Sequence, residues 1–232
     1  MINFPRKIFI HIPKNAGMTI RRSPVLSNKI MIAGPNLHKS KNYTKAVLES
    51  MNNIGDHHGW EHARWRDLNP TMTTGHDCFA IVRNPWDRVA SRYFFAQKVI
   101  YHEEDSIQYG KKDYCDCSSL EAFLEERHKW GGIKYMWHRA IRGWYPAYDY
   151  VTNKEGKLKC DIMRFENLNR DLCAYFKIPS MSRARNVTGL NDDYKSIYTS
   201  ETIQIVADWY KVDIDTFGFD FDTGATKNIW ST

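Results

Sequence analysis

Ile8-Phe9-Ile10-His11-Ile12-Pro13-Lys14-Asn15-Ala16-Gly17-Met18-Thr19-Ile20 is the stretch whose reading decides how this chain folds. It starts as the kind of short apolar run that forms a buried strand, breaks at Pro13, and then offers a lysine, a glycine and a hydroxyl residue in quick succession. The pattern predicts a strand, a tight loop and a helix start. The first N–H groups of a helix lack intrahelical partners and the helix dipole favours negative charge there, so such a loop is suited to an anion. Lys14 adds a full positive charge at the same place. A bare Lys-x-x-Gly also describes an ordinary turn with a surface lysine, and it is a second stretch that argues against that reading.

The second stretch is Cys78-Phe79-Ala80-Ile81-Val82-Arg83-Asn84-Pro85-Trp86-Asp87-Arg88-Val89-Ala90-Ser91-Arg92-Tyr93-Phe94. An apolar run ends in Arg83, Asn84 is a good helix cap, and Pro85 sits where a first-turn proline costs nothing, so a helix is predicted from Pro85 onward. Arg83 then stands at a strand end and Ser91 about two turns into the helix. Both are donors, and a phosphate needs donors from more than one direction.

With these two stretches the chain resembles the sulfotransferases that use 3′-phosphoadenosine 5′-phosphosulfate, in particular their carbohydrate-type, Golgi-sulfotransferase-like branch. Later segments extend the resemblance: Tyr148-Asp149-Tyr150-Val151 before a Lys154-Glu155-Gly156 turn, Asp161-Ile162-Met163-Arg164-Phe165-Glu166-Asn167-Leu168, and Tyr198-Thr199-Ser200-Glu201 through Phe217-Gly218-Phe219. The resemblance implies a three-layer α/β domain of the P-loop-NTPase-like sulfotransferase type, with a mainly parallel central sheet, over residues 1–232. It implies that Lys14, Asn15, Ala16, Gly17, Met18 and Thr19 hold the 5′-phosphosulfate, Lys14 also neutralising the departing phosphate oxygen, and that Arg83 and Ser91 hold the 3′-phosphate. The catalytic base is implied to be a histidine between the two motifs, which offers His57, His58 and His62. His58 is the choice here, because it directly precedes Trp60 to Leu68, a segment that looks helical. The donor would be 3′-phosphoadenosine 5′-phosphosulfate, the product 3′-phosphoadenosine 5′-phosphate, and the acceptor a carbohydrate or other hydroxyl compound, anionic ones included. No metal is required, because sulfuryl transfer to a hydroxyl asks mainly for positioning and charge stabilisation.

Three rival readings use the same residues. His58-Gly59-Trp60-Glu61-His62 fits the H-x-x-E-H pattern of one class of zinc peptidases, which needs both histidines on one helix face. Gly59 lowers helix propensity by up to ~1 kcal/mol against alanine, and no later helix presents a third ligand. A nucleotide kinase would need G-x-x-x-x-G-K-[ST], whereas here the lysine precedes the glycine. A non-enzymatic polyanion-binding module would explain a net charge of +6, but not two phosphate-type motifs at strand ends. Nucleic acid is not expected as a partner.

The 232 residues, 42% of them hydrophobic, suffice for one good core. No run approaches the ~18 apolar residues of a membrane span, and the N-terminus leads directly into a core strand rather than a signal sequence. A soluble, cytoplasmic protein without a membrane anchor is expected, and a bacterial or viral source fits. Five cysteines, an odd number, favour reduced thiols. Cys115-Asp116-Cys117 has no second pair at zinc-finger spacing.

In chain order, strands are expected at Lys7–Ile12, Lys29–Ala33, Tyr148–Thr152 and Leu158–Met163, the last two as a hairpin across Gly156. Helices are expected at Tyr43–Met51, from Pro85 to about Val99 with Val89, Tyr93 and Ala96 inward, from a Ser119 cap, over Leu168–Phe176, and over Thr199–Tyr210. Tyr101 to Cys117 reads as a long loop, and Ser180 to Asp193 as the late loop with which the family often completes its nucleotide site. The aromatic and basic run Lys134 to Arg139 is expected to face the acceptor.

Overall fold

The computed structural model describes residues 6–101, 115–181 and 194–222. Both expected loops, 101–117 and 180–193, lie largely outside these residues.

Four strands form one sheet: β1 (Lys7–Ile10), β2 (Ile30–Ile32), β3 (Cys78–Val82) and β4 (Asp161–Arg164), in the order β2-β1-β3-β4. Every pairing is parallel, with Phe9 opposite Ile32 on one side of β1 and Phe79 on the other. Alternation along the strands feeds two cores. Ile8, Ile10, Cys78, Ala80, Val82 and Ile162 face one layer, whereas Phe9, Phe79, Ile81 and Met163 face the other. Ile8, Phe9 and Ile10 have no exposed surface, and burying such a side chain is worth ~1.5–3 kcal/mol.

Helices cover both faces, which makes an α/β domain of three layers. The first face takes α2 (Lys41–Asn53) through Val47 and Met51, and the second takes α1 (Gly17–Arg21) through Ile20. The short α3 (Pro70–Gly75) precedes β3 and is capped by Asn69. A third core joins α4 (Pro85–Tyr101), α5 (Leu120–Trp130) and α8 (Ser200–Trp209) around Val89, Tyr93, Ala96, Phe123 and Val206. The start signals read from sequence hold at the atomic level. Asn84 Oδ1 accepts from Trp86 N at 3.1 Å, Ser119 Oγ from Ala122 N at 3.1 Å, and Thr199 and Thr202 form a reciprocal capping box.

Two expectations need correction. Residues 148–152 do not form the first strand of a hairpin: Ala147–Val151 is a helix, α6, followed by a single antiparallel bridge between Thr152 and Leu158. The cause is distant in sequence. The Asp213 carboxylate, on α9 (Lys211–Phe217), accepts from Ala147 N at 2.7 Å and Tyr148 N at 2.8 Å, capping α6 from outside. The turn at Gly156 is as expected, the strand expected over Leu158–Met163 starts three residues later as β4, and Leu168–Phe176 is helix α7. Likewise Trp60 to Leu68 is no α-helix, but two 3-10 turns, Trp60–His62 and Trp65–Asp67, separated at Ala63 by extended backbone.

Candidate active site

β1 runs into a loop, residues 11–16, in which Lys14 (φ 66°) and Ala16 (φ 60°) both adopt the left-handed conformation. Two non-glycine residues there cost of order 1–3 kcal/mol each, a strain that the surroundings must hold. They do so at several points. Asn15 is buried and its Nδ2 donates to Ile81 O on β3 at 2.8 Å, while its Oδ1 is buried without a hydrogen-bond partner. Arg88 Nε donates to Pro13 O at 3.3 Å and Arg83 Nη1 to Lys14 O at 2.9 Å. At Gly17 a Cβ would fall 1.5 Å from Nε2 of His11, so the imidazole occupies the space that any side chain at 17 would need. Met18 and Thr19 follow in α1, Thr19 buried.

The charge of Lys14 is held under pressure. Burial, and then the nearby Arg83, Arg92 and Lys98, pull its pKa down to about 7, and its Nζ lies 4.1 Å from the centre of the Phe95 ring. Arg83 clamps Asp87 through Nε at 2.6 Å and Nη2 at 2.7 Å and lies over the Phe165 ring. Its contact with Lys14 O joins the two motifs. Ser91 is buried on α4, three residues beyond Arg88 and four before Phe95. Arg88 touches Pro13 and Phe95 touches Lys14, so Ser91 belongs to the helix stripe that faces the loop.

The histidines separate. His62 is buried, and its Nδ1 donates to His11 O at 2.8 Å, which leaves Nε2 with the lone pair. Its ring lies 4.3 Å from that of His11, which in turn abuts Gly17. Burial pulls its pKa down to about 4 against the opposing pull of Glu61. His58 instead stacks between His57 and Trp60, each ring centre 4.3 Å away. His57 is exposed and its Nδ1 accepts from Gly59 N at 3.1 Å. The described contacts tie His62 to the loop after β1; those of His57 and His58 stay within their own segment and its Arg139 anchor. The H-x-x-E-H pattern does not form its helical pair, because Gly59 is left-handed (φ 51°) and only a 3-10 turn follows.

Beside this segment opens a cleft of about 380 Å³ between α2 and residues 134–137. Its wall carries Lys39, Arg64 and Lys134 against one carboxylate, Asp67, together with Tyr43 and Tyr135. Arg64 (2.7 Å) and Lys39 (3.0 Å) are engaged by Asp67, whereas Lys134 lies over the Tyr135 ring. A satisfied network joins this cleft to the histidine segment. Tyr43 Oη donates to His138 Nε2 at 2.9 Å, and His138 Nδ1 donates to Gly59 O at 2.9 Å.

Sequence reasoning passed over Arg88, Arg92 and His11. Arg92 is fully buried, donating to Ala140 O at 3.2 Å, Tyr210 Oη at 2.9 Å and Ile141 O. The signal open to it was arginine at i and i+4 on an otherwise apolar helix face.

A family model described as "Sulfotransferase family" matches residues 6–220. No curated protein and no solved structure matches the chain.

Proposed function

We propose that this chain, which belongs to the sulfotransferase family, transfers a sulfuryl group from 3′-phosphoadenosine 5′-phosphosulfate to a hydroxyl of a carbohydrate. The observation that carries the reading is the hydrogen bond from Arg83 to Lys14 O, which makes one site of the strained loop and the strand-end arginine. Residues Lys14 to Thr19 hold the 5′-phosphosulfate, and Arg83 and Ser91 the 3′-phosphate. The acceptor oxygen attacks sulfur, the bond from sulfur to the 5′-phosphate oxygen breaks, Lys14 neutralises the charge left on that oxygen, and a histidine takes the hydroxyl proton. Lys134 and the aromatic wall of the cleft suit a sugar acceptor, one carrying an acidic group included.

The reading predicts that 3′-phosphoadenosine 5′-phosphate binds at least tenfold more tightly than adenosine diphosphate or AMP. Arg83→Ala should erase most of that margin, because removing a charge-assisted hydrogen bond from such a site costs ~2–5 kcal/mol. Calorimetric titration tests both; equal affinity with and without the 3′-phosphate rules the reading out.

For the base, His58 and His62 compete, and the packing of His62 against His11 favours His62. His62→Ala should lower kcat by roughly 10²–10⁴ and leave affinity for 3′-phosphoadenosine 5′-phosphate nearly intact. The same loss in His58→Ala, with His62→Ala near normal, returns the role to His58.

A further inference from the structure

The H-x-x-E-H run fails as a helical pair, yet two of its members enter another cluster. We propose that His11, Glu61 and His62 form a binding site for a transition-metal dication of the Zn²⁺ type, one that sulfuryl transfer does not need.

One ligand atom from each residue lies within 4.8 Å of the other two. Bonds of ~2.0–2.2 Å to nitrogen and oxygen bring three such atoms onto a common centre after modest side-chain rotation. The orientation of His62 is that of a metal ligand held from behind: Nδ1–H is fixed on the His11 carbonyl, and Nε2 presents its lone pair. His11 is 4% exposed, and its Nδ1 has no hydrogen-bond partner. Glu61 accepts from Arg21 Nη1 at 2.5 Å through Oε1, the outer support that a ligating carboxylate ordinarily has. The protonation states agree with this geometry. Burial keeps both imidazoles neutral, and Arg21 is salt-bridged to the Glu61 carboxylate.

The donor set also chooses the metal. Two imidazoles and one carboxylate suit Zn²⁺, Co²⁺, Ni²⁺ or Cu²⁺, whereas Mg²⁺ and Ca²⁺ prefer oxygen throughout. Three protein ligands leave a fourth position for water. A bound metal takes the Nε2 lone pair of His62. On the reading that His62 is the base, metal occupancy and proton abstraction therefore exclude each other.

The test is titration of the tag-free full chain with Co²⁺ near neutral pH, followed by visible absorption and by equilibrium dialysis. One equivalent should bind, develop the intense visible bands of tetrahedral Co²⁺, and be displaced by Zn²⁺ but not by Mg²⁺. His11→Asn, Glu61→Gln and His62→Gln should each weaken binding by at least ~10–100-fold. Glu61 is only partly buried, so Glu61→Gln decides the matter if a histidine variant does not fold. Absence of saturable binding, or binding unchanged in the folded variants, overturns the site. In the transfer assay the same Zn²⁺ should suppress turnover. Stoichiometric binding without inhibition supports the metal site and removes the base role from His62, so the two readings fail separately.

Discussion

Lys14 shows how a single side chain is tuned by where the backbone puts it. Its left-handed backbone places it above Phe95 among Arg83, Arg92 and Lys98, and its pKa falls to about 7. An anionic ligand favours the ammonium form, so the bound-state pKa must be higher than the free one. Binding of 3′-phosphoadenosine 5′-phosphate at pH 8 should therefore take up close to one proton. Affinity should fall by up to tenfold per pH unit as pH rises above about 7, and hold steady below it. Calorimetry in two buffers of different ionisation heat measures the uptake, and Lys14→Met should abolish it. A buffer-independent heat contradicts this account. The place of Lys14 in a tight loop was legible in the sequence, since Pro13 breaks the apolar run before it and Gly17 follows. His11 was not, because a histidine ending a strand looks like any other. Its significance comes from the missing Cβ at Gly17 and from the ring of His62, neither of which is its neighbour in sequence.

At the scale of elements, what could be read was what is local. The caps of α4, α5 and α8 lie within three residues of the helices they start, and all three were legible. So was the parallel sheet, because strands alternate with loops and helices along the chain. Residues 147–151 went the other way. Tyr148, Tyr150 and Val151 have strand-like composition, and the Asp213 carboxylate, 66 and 65 residues away from the N–H groups that it accepts, caps them as a helix. The segment 60–68 failed for a local reason, since left-handed Gly59 starts only a 3-10 turn, which ends in non-helical backbone at Ala63. The choice of His58 rested on that supposed helix, whereas the packing of His62 against His11 arises only in the fold. The stripe Arg88, Ser91, Phe95 is an intermediate case. Its spacing was visible, but its packing against the loop after β1 was not.

The molecule as a whole keeps several histidines neutral inside it, with consequences for stability. His138 is fully buried between Tyr43 and Gly59, and burial lowers its pKa to about 3. In the unfolded chain it would titrate near 6.5. Between those values the unfolded state binds a proton that the native state refuses, so stability is fully present above pH ~6.5 and is lost as pH falls below it. The expected slope is ~1.4 kcal/mol per pH unit from this residue. Urea unfolding at pH 7.5 and 5.5 should show the loss, and His138→Gln should reduce the difference between the two by about 1.4 kcal/mol in all. An unchanged difference in the variant would mean that other groups carry the acid sensitivity.

The close fit of His11 against Gly17 also bears on how such a chain can change over generations. A side chain at 17 has no room while the imidazole stands at 11. Removing the imidazole first leaves a hole beneath a loop that already holds two strained residues. Either single step is thus a loss, and the two positions are inherited as a unit. Drift at this corner of the protein can proceed only by paired replacement, whereas the solvent-facing side of α2 remains open to change one residue at a time.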